Sequence, residues 1–105
     1  MNNIPDFITQ YTCAVTVCDI NGIIVYMNEK SISNFSKWGG KELIGKSLFD
    51  CHNPTSNEKI RELLQTGNDN IYISKNSGKL IHQTAWRENG IICGLVELSF
   101  QMPKE

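Results

Sequence analysis

The chain has 105 residues, 40% of them hydrophobic and 20% charged, with a formal net charge of -1. One domain of this length buries about two thirds of its unfolded surface, a core that needs no metal or disulfide staples. The even charge balance argues against a nucleic-acid footprint, and no apolar run approaches the roughly 20 residues that a bilayer requires.

The start, Met1-Asn2-Asn3-Ile4-Pro5-Asp6, lacks the basic and apolar regions of a signal peptide, so a cytoplasmic location is expected, with neither nucleic acid nor membrane as partner. The four cysteines fit that compartment. Cys13 and Cys18 are too far apart along one strand to bridge, and no Cys-x-x-Cys pair suggests zinc or a c-type haem. They read as reduced, buried small hydrophobes.

Three regions are expected: a lead-in over 1–12, a folded domain over 13–100 and a short tail over 101–105. Asp6 favours the first turn of a short lead-in helix, with Phe7 and Ile8 as its apolar contacts. Cys13 to Cys18 is compact and β-branched, a strand. Asn21-Gly22 then predicts a type I′ hairpin turn, with Ile23 to Met27 as the antiparallel partner.

A helical insert follows, from Asn28 to Gly67. Asn28 is placed to cap its first helix, on which Ile32 and Phe35 share a face. That helix stops before Gly39-Gly40, and a further turn ends at Gly45. The last helix of the insert starts either from a Thr55/Glu58 capping box or from Asn53 with Pro54 as first helical residue. Ile60, Leu63 and Leu64 form its apolar stripe, Lys59, Arg61 and Glu62 its solvated face, and Gly67 its stop.

Three strands close the chain. Ile71-Tyr72-Ile73 is short and suits an edge. Lys79 to Arg87 is long, and Asn89-Gly90 supplies a second two-residue turn. Ile91 to Phe100 is the most apolar and belongs in the centre. If the strands form one sheet, the insert must cover one face of it.

These pieces in this order resemble a PAS domain over about Val15 to Ser99. The resemblance is carried by Asp19-Ile20-Asn21-Gly22-Ile23-Ile24-Val25-Tyr26-Met27-Asn28 and Gly40-Lys41-Glu42-Leu43-Ile44-Gly45-Lys46-Ser47. Leu63-Leu64-Gln65-Thr66-Gly67 and Asn89-Gly90-Ile91-Ile92-Cys93-Gly94 complete it. It implies an α+β fold: a five-stranded antiparallel sheet, order 2-1-5-4-3, with the helical insert between strands 2 and 3 on one face. It also implies a sensory or signalling module rather than an enzyme, and no paired carboxylates, nucleophile–base pair or phosphate loop speaks for catalysis.

The same resemblance bears on cofactors. Leu48 stands where flavin-binding relatives of the LOV type carry their reactive cysteine, so flavin photochemistry is not expected. Ser56 falls near the place of the haem-ligating histidine in oxygen-sensing relatives. His52, about one turn earlier, keeps haem as a minor alternative. Cys51-His52 is not expected to hold metal or act as a nucleophile pair, since adjacent residues seldom aim at one atom.

A small ligand of unknown identity is therefore expected between sheet and insert. The candidate pocket residues are Tyr26, Phe35, Phe49, His52, Leu63 and Gln83. Gln83 is the natural polar anchor if its face of the long strand looks inward, and His82 and Trp86 take that role if theirs does; the pattern leaves this open. Both faces of the last strand are apolar, so the face away from the insert needs a partner. A homodimer through Phe7, Ile8, Ile91, Cys93 and Leu95 is expected, the family often pairing this way. The sequence contains no kinase, cyclase or DNA-binding segment, and Pro103 discourages a continuing helix, so action on a signalling partner in trans is expected. The alternative is a ligand-free interaction module with a solid interior.

Overall fold

The computed structural model describes residues 4–50 and 54–103. A short helix α1 (Asp6–Gln10) leads into β1 (Ala14–Asp19) and β2 (Ile24–Met27). The insert follows as α2 (Glu29–Asn34), 3-10 turns at Ser36–Trp38, Gly40–Leu43 and Leu48–Asp50, and α3 (Pro54–Thr66). The chain closes with β3 (Asn70–Ile73), β4 (Lys79–Glu88) and β5 (Ile91–Gln101). All five strands form one antiparallel sheet in the order β2-β1-β5-β4-β3. The most apolar strand is indeed central and the short β3 lies at an edge.

The two Asn-Gly sequences fold differently. Asn89, at φ 52°, is the one non-glycine residue with positive φ among the described residues, and Gly90 follows at 79°. That pair suits the type I′ turn expected of it. Asn21 keeps a negative φ, which corrects the same expectation for the first hairpin. There the turn spans Asp19–Gly22: the Gly22 N–H donates to the Asp19 carbonyl at 3.0 Å. The Asp19 carboxylate also accepts from the N–H groups of Asn21 and Ile23, at 2.9 and 3.0 Å. An aspartate that hydrogen-bonds its own turn outcompetes the tighter Asn-Gly geometry. Only Gly22 then needs the left-handed region, at φ 80°.

Asn28 caps α2, its side-chain oxygen accepting from the Ser31 N–H at 3.0 Å. It does more than cap. The same oxygen accepts from the Val15 N–H at 2.9 Å, and the amide nitrogen donates to the carbonyls of Ile8, Tyr11 and Cys13. One fully buried side chain thus ties α1, the entry to β1 and α2 together. The following segment docks on the free edge of β2: Gly45 N–H to Ile24 O at 2.7 Å, Ile24 N–H to Lys46 O and Leu48 N–H to Gly22 O, both at 2.9 Å. This covers backbone groups that an open edge would leave unpaired. Helix α3 starts at Pro54, whose missing N–H costs nothing there. Its neighbour Asn53 lies outside the described residues.

The insert covers one face of the sheet, with α2 against β1 and β2 and α3 against β4 and β5. Two apolar clusters result. One joins Cys18 and Leu95 of the sheet to Ile60, Leu63 and Leu64 of α3. The other joins Ile24 and Met27 to Leu43. Leu48 packs against both.

Candidate functional site

A cavity of 490 Å³ opens between these two clusters and the sheet, within the range of about 300–1,000 Å³ usual for small-molecule sites. Its floor is laid down by strand register. Ile24, Cys18, Leu95 and Ala85 are successive cross-strand partners and form an apolar row. One step along, Met27, Thr16, Glu97, Gln83 and Asn70 are partners across all five strands. Alternation puts this whole second row on the same face, and four of its five members are polar.

The polar row is wired in one direction. Asn70 Nδ2 donates to Gln83 Oε1 at 2.9 Å, and Gln83 Nε2 donates to a Glu97 carboxylate oxygen at 3.1 Å. Thr16 shares a 2.6 Å hydrogen bond with the buried Ser31 hydroxyl of α2. Gln83 is only 5% exposed, so its amide is held by these partners rather than by water. The roof consists of Phe35, Trp38, Leu43, Leu48 and Asp50 from the insert, with Ile60 of α3.

The question of which face of β4 looks inward is thereby answered: Gln83 does, with Ile81 and Ala85. Gln83 and Phe35 both line the cavity. The others expected there are placed differently. Tyr26 lies on the outer face with its register partner Val17, its hydroxyl 3.1 Å from Thr9 Oγ1 of α1. The cause is one extra residue, Val25, between the pairs Val17↔Tyr26 and Cys18↔Ile24. Such a bulge moves every side chain beyond it to the opposite face.

Phe49 sits against Gly22 in the first turn, with the Arg61 guanidinium 4.5 Å above its ring. It borders a shallow depression with Ile20, Asn21 and Leu64, apart from the main cavity. Leu63 is fully buried in the core, and Ile60, one turn earlier on the same stripe, reaches the cavity instead. His52 lies outside the described residues, as does Cys51.

The expected dimer face also needs correcting. Leu95 points inward and lines the cavity. A second bulge explains this: Trp86 pairs with Gly94 but Arg87 with Ile92, leaving Cys93 as the extra residue. A two-residue turn without that bulge would have put Gly94 and Val96 inside. Phe7 and Ile91 are exposed, at 68% and 69%, and Ile8 and Cys93 are half-buried. Trp86 on the outer face lies across Gly94 and donates its indole N–H to the Cys18 carbonyl at 2.9 Å.

Burial pushes the Cys18 thiol up to about 11, which keeps it protonated and a poor ligand or nucleophile. Among the described residues no group of three or more His, Cys, Asp and Glu side chains could hold a metal. The described lining contains no histidine to ligate a haem and no cation to pair with its propionates; its charged members are Glu97 and Asp50. His82 faces outward, 3.4 Å from Asp69. Also among the described residues, no helix is long and apolar enough to cross a membrane.

Comparison with known proteins agrees with this architecture. The chain is 34% identical over 64 residues to sporulation kinase A of Bacillus subtilis (strain 168), an alignment covering 61% of this chain and 10% of the kinase. It therefore spans about a tenth of that relative. Among solved structures, VqmA of Vibrio cholerae, described as a dimer, superposes with a TM-score of 0.71 at 18% identity. That match covers 93% of this chain and 51% of VqmA. The Aer2 receptor of Vibrio cholerae, described as a dual PAS-heme oxygen sensor, gives 0.67 at 16% identity, covering 88% and 96%. At such identities the likeness concerns the fold. The family model described as the PAS fold matches residues 4–94, from ahead of α1 to the start of β5. This chain belongs to the PAS family.

Proposed function

We propose that this domain is a sensory module that takes a small molecule into the cavity between sheet and insert and passes its state to a partner protein. The observation that carries the reading is the cavity itself, 490 Å³ of mostly apolar space floored by one row of ordered polar groups. A few placed polar groups in an apolar recess are the usual anatomy of a ligand site. Relatives support it: VqmA has been solved bound to DPO, and Aer2 is described as a heme-based sensor. Haem through His52 is the weaker form of the reading, because the described lining lacks cations for the propionates.

The domain acts without catalysis of its own, handing its state to a signalling partner in trans. A second copy is one such partner, and VqmA is described as a dimer. The outer sheet face favours this contact. Ile71 and Ile73 of β3 are 63% and 56% exposed there, beside their partners His82 and Leu80. The same face favours the second reading, an interaction module that works with its cavity empty.

Native mass spectrometry of the purified protein separates the two. A bound small molecule, or a thermal shift on adding one, supports the sensor; a ligand at about 100-fold its Kd stabilises by roughly 2.7 kcal/mol. Failure of every compound in a broad screen to bind leaves the interaction module. Light scattering at high micromolar concentration tests self-association, and a strict monomer removes the homodimer.

A further inference from the structure

We infer that the cavity selects small, mostly apolar amines, ligands whose positively charged N–H groups end on Glu97. The inference rests on the sensory reading above and names the ligand class for the same site.

The argument begins with what holds Gln83. Its oxygen takes the Asn70 amide and its nitrogen gives to Glu97. Turning Gln83 over would set donor against donor and carbonyl oxygen against carboxylate, and turning Asn70 over would set two carbonyl oxygens together, so the Glu97 carboxylate fixes the orientation of both. Donation therefore runs Asn70 to Gln83 to Glu97 and ends there. A carboxylate has room for about four hydrogen bonds, and Gln83 occupies one of them. The remaining capacity belongs to a side chain that lines the cavity.

No lysine, arginine or histidine is among the described residues lining this space, while Asp50 adds a second carboxylate on the insert side. The charged side chains among the described lining are thus both acidic. A phosphate or carboxylate entering there would bury a charge beside like charges with no cation of the described lining to offset it, which is strongly unfavourable. A ligand ammonium or protonated N-heterocycle reverses the sign and gains a charge-assisted hydrogen bond. The rest of the lining, from Ile24, Met27, Phe35, Leu43, Ile60 and Leu95, asks for a hydrocarbon or aromatic body. Thr16 does not alter this balance, since its hydroxyl is engaged by Ser31.

The test is a fragment screen by protein-observed NMR, using small aromatic compounds divided equally among cations, neutral molecules and anions at neutral pH. Hits are counted only when they shift the amide signals of Thr16, Gln83 or Leu95. Cations are expected to dominate the hits and anions to be nearly missing. Glu97→Gln keeps an acceptor for Gln83 while removing the charge; it is expected to weaken the tightest cationic hit about tenfold and to erase the bias. Hits spread evenly over the three classes, or rich in anions, overturn the inference while leaving a ligand-binding cavity. Cationic hits that bind Glu97→Gln as well as the parent also overturn it. No hits in any class overturn the sensory reading together with it. The distribution of hits on the unaltered protein decides the matter even where the variant folds poorly.

Discussion

Two buried amides, Asn28 at the end of β2 and Gln83 in β4, are treated differently by the fold. Asn28 uses both ends of its side chain: two N–H groups reach its oxygen and three carbonyls share its nitrogen. Nothing is left over. Gln83 belongs to a chain of donors that ends on a carboxylate facing an open cavity. A saturated polar group fastens elements together, whereas an unfinished one invites something to complete it.

The contrast can be broken at its strong end first. Asn28→Ala strands the N–H groups of Val15 and Ser31 and three carbonyls at the junction of α1, β1 and α2. A loss of at least about 3 kcal/mol is expected, from about 1–3 kcal/mol per buried unsatisfied group, read as a lower urea midpoint at unchanged slope. Gly94→Ala touches neither amide but adds a Cβ that would run into the Cys18 carbonyl and the Trp86 indole. Overpacking of this kind costs about 1–3 kcal/mol, and the variant should show it in the same urea titration. Gln83→Leu is milder, about 1 kcal/mol, because Asn70 and Glu97 border space that water can enter. Equal losses for Asn28→Ala and Gln83→Leu would erase the distinction between the two amides.

The smallest effect concerns Asp69, fully exposed beside β4. The Thr84 hydroxyl, at 2.6 Å, and then His82 hold its carboxyl below the ordinary carboxylate range. A depressed folded-state value means stability that is present above the unfolded value and lost as pH falls through the folded one. Asp69→Asn should therefore lower the melting temperature slightly near neutrality, and the deficit should vanish in strong acid. A deficit that grows toward low pH would contradict the assignment.

Much of the sheet was legible because its signals are local. Turn residues and strand composition placed β5 in the centre and β3 at the edge, and Asn28 announced itself as a cap. What the sequence hid was parity. Val25 and Cys93 each insert one unpaired residue into a ladder, and each reverses the face of everything beyond it. No residue type marks a bulge of this kind, so Tyr26 was expected inside and Leu95 outside. The choice between Leu63 and Ile60 was equally hidden, since both lie on one stripe and only the depth of α3 over the sheet separates them. Glu97 went unnoticed for the same reason as Leu95: the Cys93 bulge makes it the partner of Gln83.

Cys18 has its side chain in the cavity and its carbonyl bonded to the Trp86 indole on the far side of the sheet. One residue of β1 thus touches both compartments. Indole emission depends on the hydrogen bond its N–H makes, so Trp86 emission would report any shift of Cys18 that filling the cavity brings about. With Trp38, the second indole and part of the cavity roof, replaced in Trp38→Phe, the remaining indole emission comes from Trp86 on the outer face alone.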